Sequence, residues 1–365
     1  MPWDPFANIP IANIDRIRDA VEDAPSIFNT RPWRFVISAA DRIDLRLPAD
    51  LAALDEDDPR DRARKRGYVI SCGASLFNLR LAIRVAGHDL TVWLVPDPER
   101  DRGLLASVEI ETRWVKRPTL AEEELYEAIW RRHTSRSPYI LPAPLPIVVA
   151  MEHAAAREDA WLRLLNHHQT RTWMRLAAIT DGDPAFVPPF PNLVPRENYG
   201  PPPRNRRYPR TRAAFWDGSA RHFEFHPRLM ALSTDDDEAL DWLHAGQGLQ
   251  HAILTASRYS ASAAHGLTAR YHAPRRFGVP ARHHLLTGHD DLARFGLSVS
   301  FLTQPLEHED LDGVERQWPW RWRFAELPQL VVRVGYTPDQ PDSTRPEKEK
   351  EPHIRDARPS RPGAP

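Results

Sequence analysis

Two short stretches carry side chains whose types and spacing suit the binding of an anion or a polyol. The first is APSIFNTRPWRF, residues 24–35, where Ser26, Asn29 and Arg31 lie on a bend that feeds an apolar Phe-Val-Ile run. Polar residues beside prolines on such a bend either cap and close a turn or hold something. The second is RRHTSRSPY, residues 131–139. There Arg132, Thr134 and Arg136 alternate, so in an extended chain they face one way. Two guanidiniums flanking a hydroxyl suit a phosphate or a polyol, because arginine offers forked donors and threonine both donates and accepts. The same residues also suit a solvated helix C-terminus, where cations complement the helix dipole.

Other conspicuous residues point to no chemistry. The chain has 16 histidines, but His167-His168 and His283-His284 are adjacent pairs without a third ligand at metal spacing, so no metal is expected. Asp235, Asp236 and Asp237 lack the alternating ligands and the glycine of a calcium loop and read as a helix cap. WPWRWRF, residues 318–324, is one short Trp/Arg run before a strand, which suits a packed loop better than a membrane-seeking peptide. The sequence contains no GxSxG, no P-loop and no GxGxxG, which argues against a hydrolase, a P-loop NTPase and a Rossmann enzyme.

The elements that must position the two stretches are legible in composition and pattern. The 365 residues exceed a usual single domain, and two units are expected. Lys plus Arg (49) nearly cancel Asp plus Glu (50), so no global field draws nucleic acid or an anionic membrane. A single cysteine, Cys72, excludes internal disulfides and points to a reducing compartment. The opening MPWDPFANIP is not a signal peptide, and no run approaches 18 uninterrupted apolar residues. A soluble, cytoplasmic protein is expected.

Residues 11–24 have helical apolar spacing and Pro25 stops them. RFVIS and RIDLRL read as strands, YVISCGASLFNLRLAIRVAG as a buried helix ending at Gly87, and DLTVWLVP and LLASVEIE as strands. The pattern restarts at TLAEEELYEAIWRRH, a helix with a Thr cap and an acidic first turn. DAWLRLLN (strand), RTWMRLAAITDG (helix), RLMALST (strand), ALDWLHAGQGLQHAILTAS (long helix) and QLVVRVGY (strand) follow. Each half thus repeats helix, strand, long buried helix, strand, as two copies of one α+β unit, 1–118 and 119–336. Residues 184–209 hold nine prolines, too many for a helix or a central strand, and read with the residues up to 216 as a lid-like loop. Residues 258–294 look like an insertion, and residues 337–365 are expected to be largely disordered.

Taken together the two stretches resemble the signatures of the FMN-dependent nitroreductase family. Arg-x-Ser/Thr-x-Arg/Lys matches its flavin-contacting signature at 132–136. Ala-Pro-Ser-x-x-Asn-x-Gln-Pro-Trp-x-Phe matches residues 24–35 except that Arg31 replaces Gln. Ordinary members carry both signatures in each subunit, and each flavin takes one from each subunit of a dimer. Here DRIRDAV stands in the first half where Arg-x-Ser-x-Arg is due, and the second half lacks the Pro-Ser-x-x-Asn loop. The chain therefore looks like a fused pseudo-dimer with one surviving site and is similar to the Acg-type nitroreductase-like proteins of actinobacteria. AGQGLQHAILTAS, GLSVSFLTQPLE and LPQLVVRVGY look like the second half of that subfamily.

The resemblance implies an α+β nitroreductase-like fold duplicated in one chain and a single FMN. Arg132, Thr134 and Arg136 would contact the ribityl chain and phosphate, and Pro25, Ser26 and Asn29 the isoalloxazine edge. Thr303 and Gln304 fall where the family approaches the ring's N5 side, and Arg345 matches a phosphate-binding basic residue before a late proline. Arg31 would either stabilise the anionic reduced flavin or face solvent. The implied activity is NAD(P)H-dependent reduction of nitroaromatics or quinones, with no acid–base residue nominated, since the cofactor carries the hydride. The alternative is a flavin-holding protein without turnover, its site closed by the lid. A fused dimer completes its own site, so a monomer is expected.

Overall fold

Pro25 cannot continue a helix, and the first helix, α1 (Ile11–Glu22), ends before it in a turn closed by Asp23 N donating to Asp19 O at 3.1 Å. The structure is a computed structural model that describes residues 11–39, 41–111, 116–132, 141–166, 169–170, 228–262, 296–302, 326–337 and 354–356. Outside them lie the helix expected over RTWMRLAAITDG, the lid-like loop, most of the expected insertion, both histidine pairs and WPWRWRF.

In the N-terminal half, β1 (Arg34–Ala39) and β2 (Arg42–Arg46) form an antiparallel hairpin. A short helix α2 (Ala49–Ala52) leads to the long helix α3 (Pro59–Val85), then to β3 (Asp89–Leu94) and β4 (Leu104–Glu111). The apolar pattern locates α3 from Tyr68, but the helix starts nine residues earlier. The reason is local: Asp58 accepts from Arg60 N and Asp61 N at 2.8 and 3.1 Å, and Pro59 occupies the first helical position, where its missing N–H costs nothing. Gly87, at φ 95°, follows the helix end in the left-handed conformation. α3 has the length and hydropathy of a membrane span, yet 83% of that window is buried inside the protein, which makes it a core helix.

In the C-terminal half, α4 (Leu120–Arg131) starts in a full capping box between Thr119 and Glu122. Then come β5 (Leu141–Pro142), α5 (Leu145–Ala156), β6 (Trp161–Leu164), β7 (Arg228–Thr234), α6 (Ala239–Ser262), β8 (Gly296–Leu302) and β9 (Leu327–Thr337). α5 has no counterpart in the pattern reading, because apolar residues cover nearly all its faces and leave no helical stripe. α6 continues through Ser262, into the first residues of the expected insertion.

The first sheet has the order β1-β2-β4-β3, with β10 (Ile354–Asp356), from the C-terminal tail, parallel to β1. The second has β6-β7-β9-β8, with β5 pairing the last residues of β9. Within each set of four, every neighbouring pair is antiparallel. Buried residues of both sheets, α3 and α6 form one continuous hydrophobic core.

α3 and α6 cross at two glycines. A Cβ on Gly73 would collide with the Leu243 carbonyl oxygen and stand 3.0 Å from Gly246 Cα. One on Gly246 would collide with the Ile70 carbonyl oxygen and stand 2.8 Å from Gly73 Cα. Only hydrogen fits at either position. Buried polar groups bridge the same interface: Gln250 Nε2 on α6 donates to Asn78 Oδ1 at 2.7 Å, and Asn78 Nδ2 donates to the Ala20 carbonyl of α1 at 2.6 Å. Asp237, in the expected acidic cap, takes the Trp242 indole N–H at 2.6 Å and pairs with Arg62 and Arg66 of α3, so that carboxylate joins the starts of the two long helices.

Candidate functional site

Residues 23–33 connect α1 to β1 in a tight, internally bonded loop. Ser26, in extended backbone, precedes a single 3-10 turn, Ile27–Asn29. Asn29 N donates to Ser26 O at 3.0 Å, Thr30 N to Ile27 O at 3.0 Å, and Thr30 Oγ1 to the same carbonyl at 2.8 Å. Asn29 (φ 58°) and Arg31 (φ 47°) adopt left-handed backbone, a conformation asparagine tolerates better than most residues. Ser26 Oγ accepts from Arg31 N at 3.1 Å, so this hydroxyl does close the turn.

The loop is fastened to α3 through a residue that the sequence motifs do not reveal. Ile27 N donates to Ser71 Oγ at 3.0 Å, and Ser71 Oγ donates to Gly67 O at 2.8 Å within its own helix. A serine on a helix face is too common a feature to flag; only the packing of α3 beneath the loop gives it this task. Arg31 turns its guanidinium back onto Glu22 at the end of α1, at 3.2 Å, with both side chains about 15% exposed. Asn29 is half-buried, and its side-chain amide has no hydrogen-bond partner among the described residues.

Arg132 comes to this loop from the other half. It ends α4 with ψ 126°, leaving the helix in an extended direction. Its Nη2 donates to the Asp23 carbonyl at 3.1 Å, two residues before Pro25. The structure thus brings Arg132 to the start of the loop that carries Pro25 and Ser26. Thr134, Arg136, Thr303, Gln304 and Arg345 lie outside the described residues.

Beside the loop is an apolar recess walled by both halves: Pro25 and Ile27 from the loop, Gly67, Ile70, Ser71 and Ala74 from α3, Leu249 from α6, and Phe301 and Leu330 from β8 and β9. Its α3 wall includes the small residues Gly67, Ser71 and Ala74 beside Ile70. Phe301 precedes the end of β8 by one residue. Among the described residues no group of three or more His, Cys, Asp or Glu could hold a metal ion.

The arrangement suits a ligand with an apolar face and a polar or anionic edge. It has an apolar wall, a polar loop with one amide uncommitted among the described residues, and a cation delivered by the second half.

No family model matches the chain. Over 356 residues, covering 90% of this chain and 86% of the relative, it is 25% identical to a protein of Mycobacterium tuberculosis strain H37Rv that carries the provisional name NAD(P)H nitroreductase. The counterpart in strain CDC 1551 matches to the same extent. An uncharacterized protein of the H37Rv strain is 30% identical over 120 residues, one third of each chain.

Proposed function

We propose that this chain is a nitroreductase-type flavin oxidoreductase that holds one FMN between its two halves and passes hydride from NAD(P)H to nitroaromatic or quinone-like acceptors. The observation that carries this reading is the contact of Arg132 with Asp23, because it sets the first residue of one signature beside the loop of the other. The similarity, over 90% of this chain, to a relative named as an NAD(P)H nitroreductase supports it. So does the equal order of the two four-strand sets, first-second-fourth-third, which is what a duplicated unit would leave behind. By this reading the chain is a single-chain pseudo-dimer of the Acg type and needs no partner chain to complete its site.

The residues present fit such a cofactor. Arg132, with Thr134 and Arg136 following it in the chain, would take the ribityl chain and phosphate, and Arg345 the phosphate from the tail. Asn29 would offer its amide to the polar edge of the ring, with the backbone of Pro25 and Ser26 beside it, and Thr303 and Gln304 would approach from the end of β8. FMN, when bound, accepts a hydride and hands it on, so the chain's own share is to bind, orient and exclude water. Ser71 does part of this by fixing the loop. Arg31 contributes indirectly, by tying the far end of the loop to Glu22.

The visible absorption spectrum of the purified protein tests the cofactor, and NAD(P)H oxidation with a nitroaromatic or a quinone tests turnover. A colourless protein that gains no flavin on incubation with FMN would overturn the proposal. Bound FMN without oxidation of either nucleotide, for any acceptor tried, would leave only the flavin-holding alternative. Light scattering tests the monomer.

A further inference from the structure

The helix crossing is reciprocal, and the reciprocity identifies a second position related to the candidate site. Gly73 faces the carbonyl of Leu243 and Gly246 faces that of Ile70, so Gly73 corresponds to Gly246 and Ile70 to Leu243. Mutual contact of this kind is the mark of a two-fold relation. The same offset pairs Ser71 with His244. Ser71 bonds the backbone of the α1–β1 loop at Ile27 N, and His244 Nδ1 bonds the backbone of the α5–β6 turn at the Glu158 carbonyl, 3.0 Å away. The α5–β6 turn therefore stands where the flavin loop of the second half would be.

That position is built to a different plan. The connection is four residues long, 157–160, against eleven, 23–33, in the first half. Gly248 lets the turn press onto α6: a Cβ there would stand 2.7 Å from the Ala160 Cβ. The recess residues Gly67, Ser71 and Ala74 correspond to Leu240, His244 and Gln247, each larger than its counterpart. The turn buries Glu158, 8% exposed, instead of presenting an open loop. His251 Nδ1 of α6 donates to Glu158 Oε1 at 3.0 Å, and Arg80 Nη1 of α3 donates to Glu158 Oε2 at 2.6 Å and also to Gln247 Oε1. His251 stacks on Phe77 of α3 with ring centroids 4.8 Å apart.

We propose that the α5–β6 turn, with Glu158, His251, Gln247 and Arg80, closes the twin of the candidate site and converts it into an ionic clasp between the two halves. The position is filled by side chains of the chain itself, so it takes no cofactor, and one molecule of protein takes one FMN. Arg80 reaches the clasp from the N-terminal half, while Glu158, Gln247 and His251 come from the C-terminal half. The Glu158 carboxylate is buried and satisfied by both partners, while the Arg80 side chain stays 32% exposed, so removing a partner leaves a buried carboxylate short of its compensation. The one-FMN consequence rests on the proposed function; the clasp itself does not.

Two measurements on the full-length chain test this. Titration of apoprotein with FMN, followed by flavin fluorescence and confirmed by the flavin-to-protein absorbance ratio, is expected to saturate at one per chain. Saturation at two would overturn the closure, and failure to bind any would strike the proposed function while leaving the clasp to the second measurement. That measurement is urea unfolding of apoprotein carrying Arg80→Met, Glu158→Gln, or both. Each single change is expected to lower the midpoint, and the double variant to be clearly more stable than the sum of the two losses allows, because both changes remove the same ion pair. Additive losses, or unchanged midpoints, would overturn the clasp. Glu158→Gln keeps the size of the side chain and so guards against a variant that merely fails to fold.

Discussion

Arg132 and Asp23 are 109 residues apart in the chain, yet the arginine's Nη2 lies 3.1 Å from the aspartate's main-chain carbonyl oxygen. The donor stands at the end of α4 in the C-terminal half, the acceptor just past the end of α1 in the N-terminal half. This one bond holds Arg132, the residue that follows α4, at the start of the loop that carries Ser26 and Asn29.

Asn29→Ala and Arg132→Ala are expected each to weaken FMN binding although they belong to different halves. A neutral hydrogen bond contributes about 1 kcal/mol and one to a charged group about 2 kcal/mol, so losses of roughly fivefold and thirtyfold in affinity are expected. Fluorescence titration of apoprotein measures both. Unchanged affinity in either variant would remove the main support for a site shared between halves.

Ser71→Ala should act on the same site from below. It leaves the buried Ile27 N–H without its acceptor, which costs about 1–3 kcal/mol. The α1–β1 loop is expected to loosen, with faster amide exchange at Ile27 and weaker FMN binding, while the helix content of the protein stays the same. Exchange at Ile27 as slow as in the parent would show that the loop does not depend on Ser71.

At the helix crossing, Gly246→Ala places a methyl group against the Ile70 carbonyl and Gly73 Cα, both main-chain atoms that cannot rotate away. A loss of about 3 kcal/mol is expected, the upper end for overpacking a closely fitted core. Denaturant unfolding checks it, with Ala245→Gly in the neighbouring position as a comparison that adds no atoms.

The clasp gives a pH dependence with a definite sign. Burial pushes the Glu158 carboxyl up, but the hydrogen bond from His251 and the guanidinium of Arg80 outweigh it and hold the carboxyl below the usual glutamate value. A folded-state value below the unfolded one stabilises the protein at pH above the unfolded value, and the stabilisation is lost as pH falls through the folded one. Stability is therefore expected to decline from this group below about pH 4.3, the ordinary glutamate value. Unfolding midpoints of Glu158→Gln should run flatter over that acid range than those of the parent.

Several features were determined by the sequence within a few residues of themselves. Thr119 and Glu122 form the capping box of α4 from a spacing of three, Pro25 bars α1 from continuing, and Gly87 lies past the end of α3 where a left-handed residue is needed. The strands β1 to β4, β6, β7 and β9 follow from short runs of apolar residues bounded by turns. Local rules suffice there because capping, steric exclusion and periodicity act over one or two turns of chain. They did not suffice for α5, which is apolar on nearly every face, or for the first nine residues of α3, where the start depends on the cap at Asp58 and not on apolar spacing.

Tertiary structure alone decided what the polar residues do. Arg31 reads from the sequence either as a flavin contact or as a solvent-facing cation, and the fold of the loop sets its guanidinium 3.2 Å from Glu22 at the end of α1. Ser71 carries no motif, yet the loop lies on top of it. Glu158 carries no motif either, and its task comes from His251 on α6 and Arg80 on α3. In each case the deciding partner is many residues away or on a separate element. For Glu158 that partner set depends on the crossing of α3 and α6 at Gly73 and Gly246, where the two helices lie close enough for main chain to touch main chain.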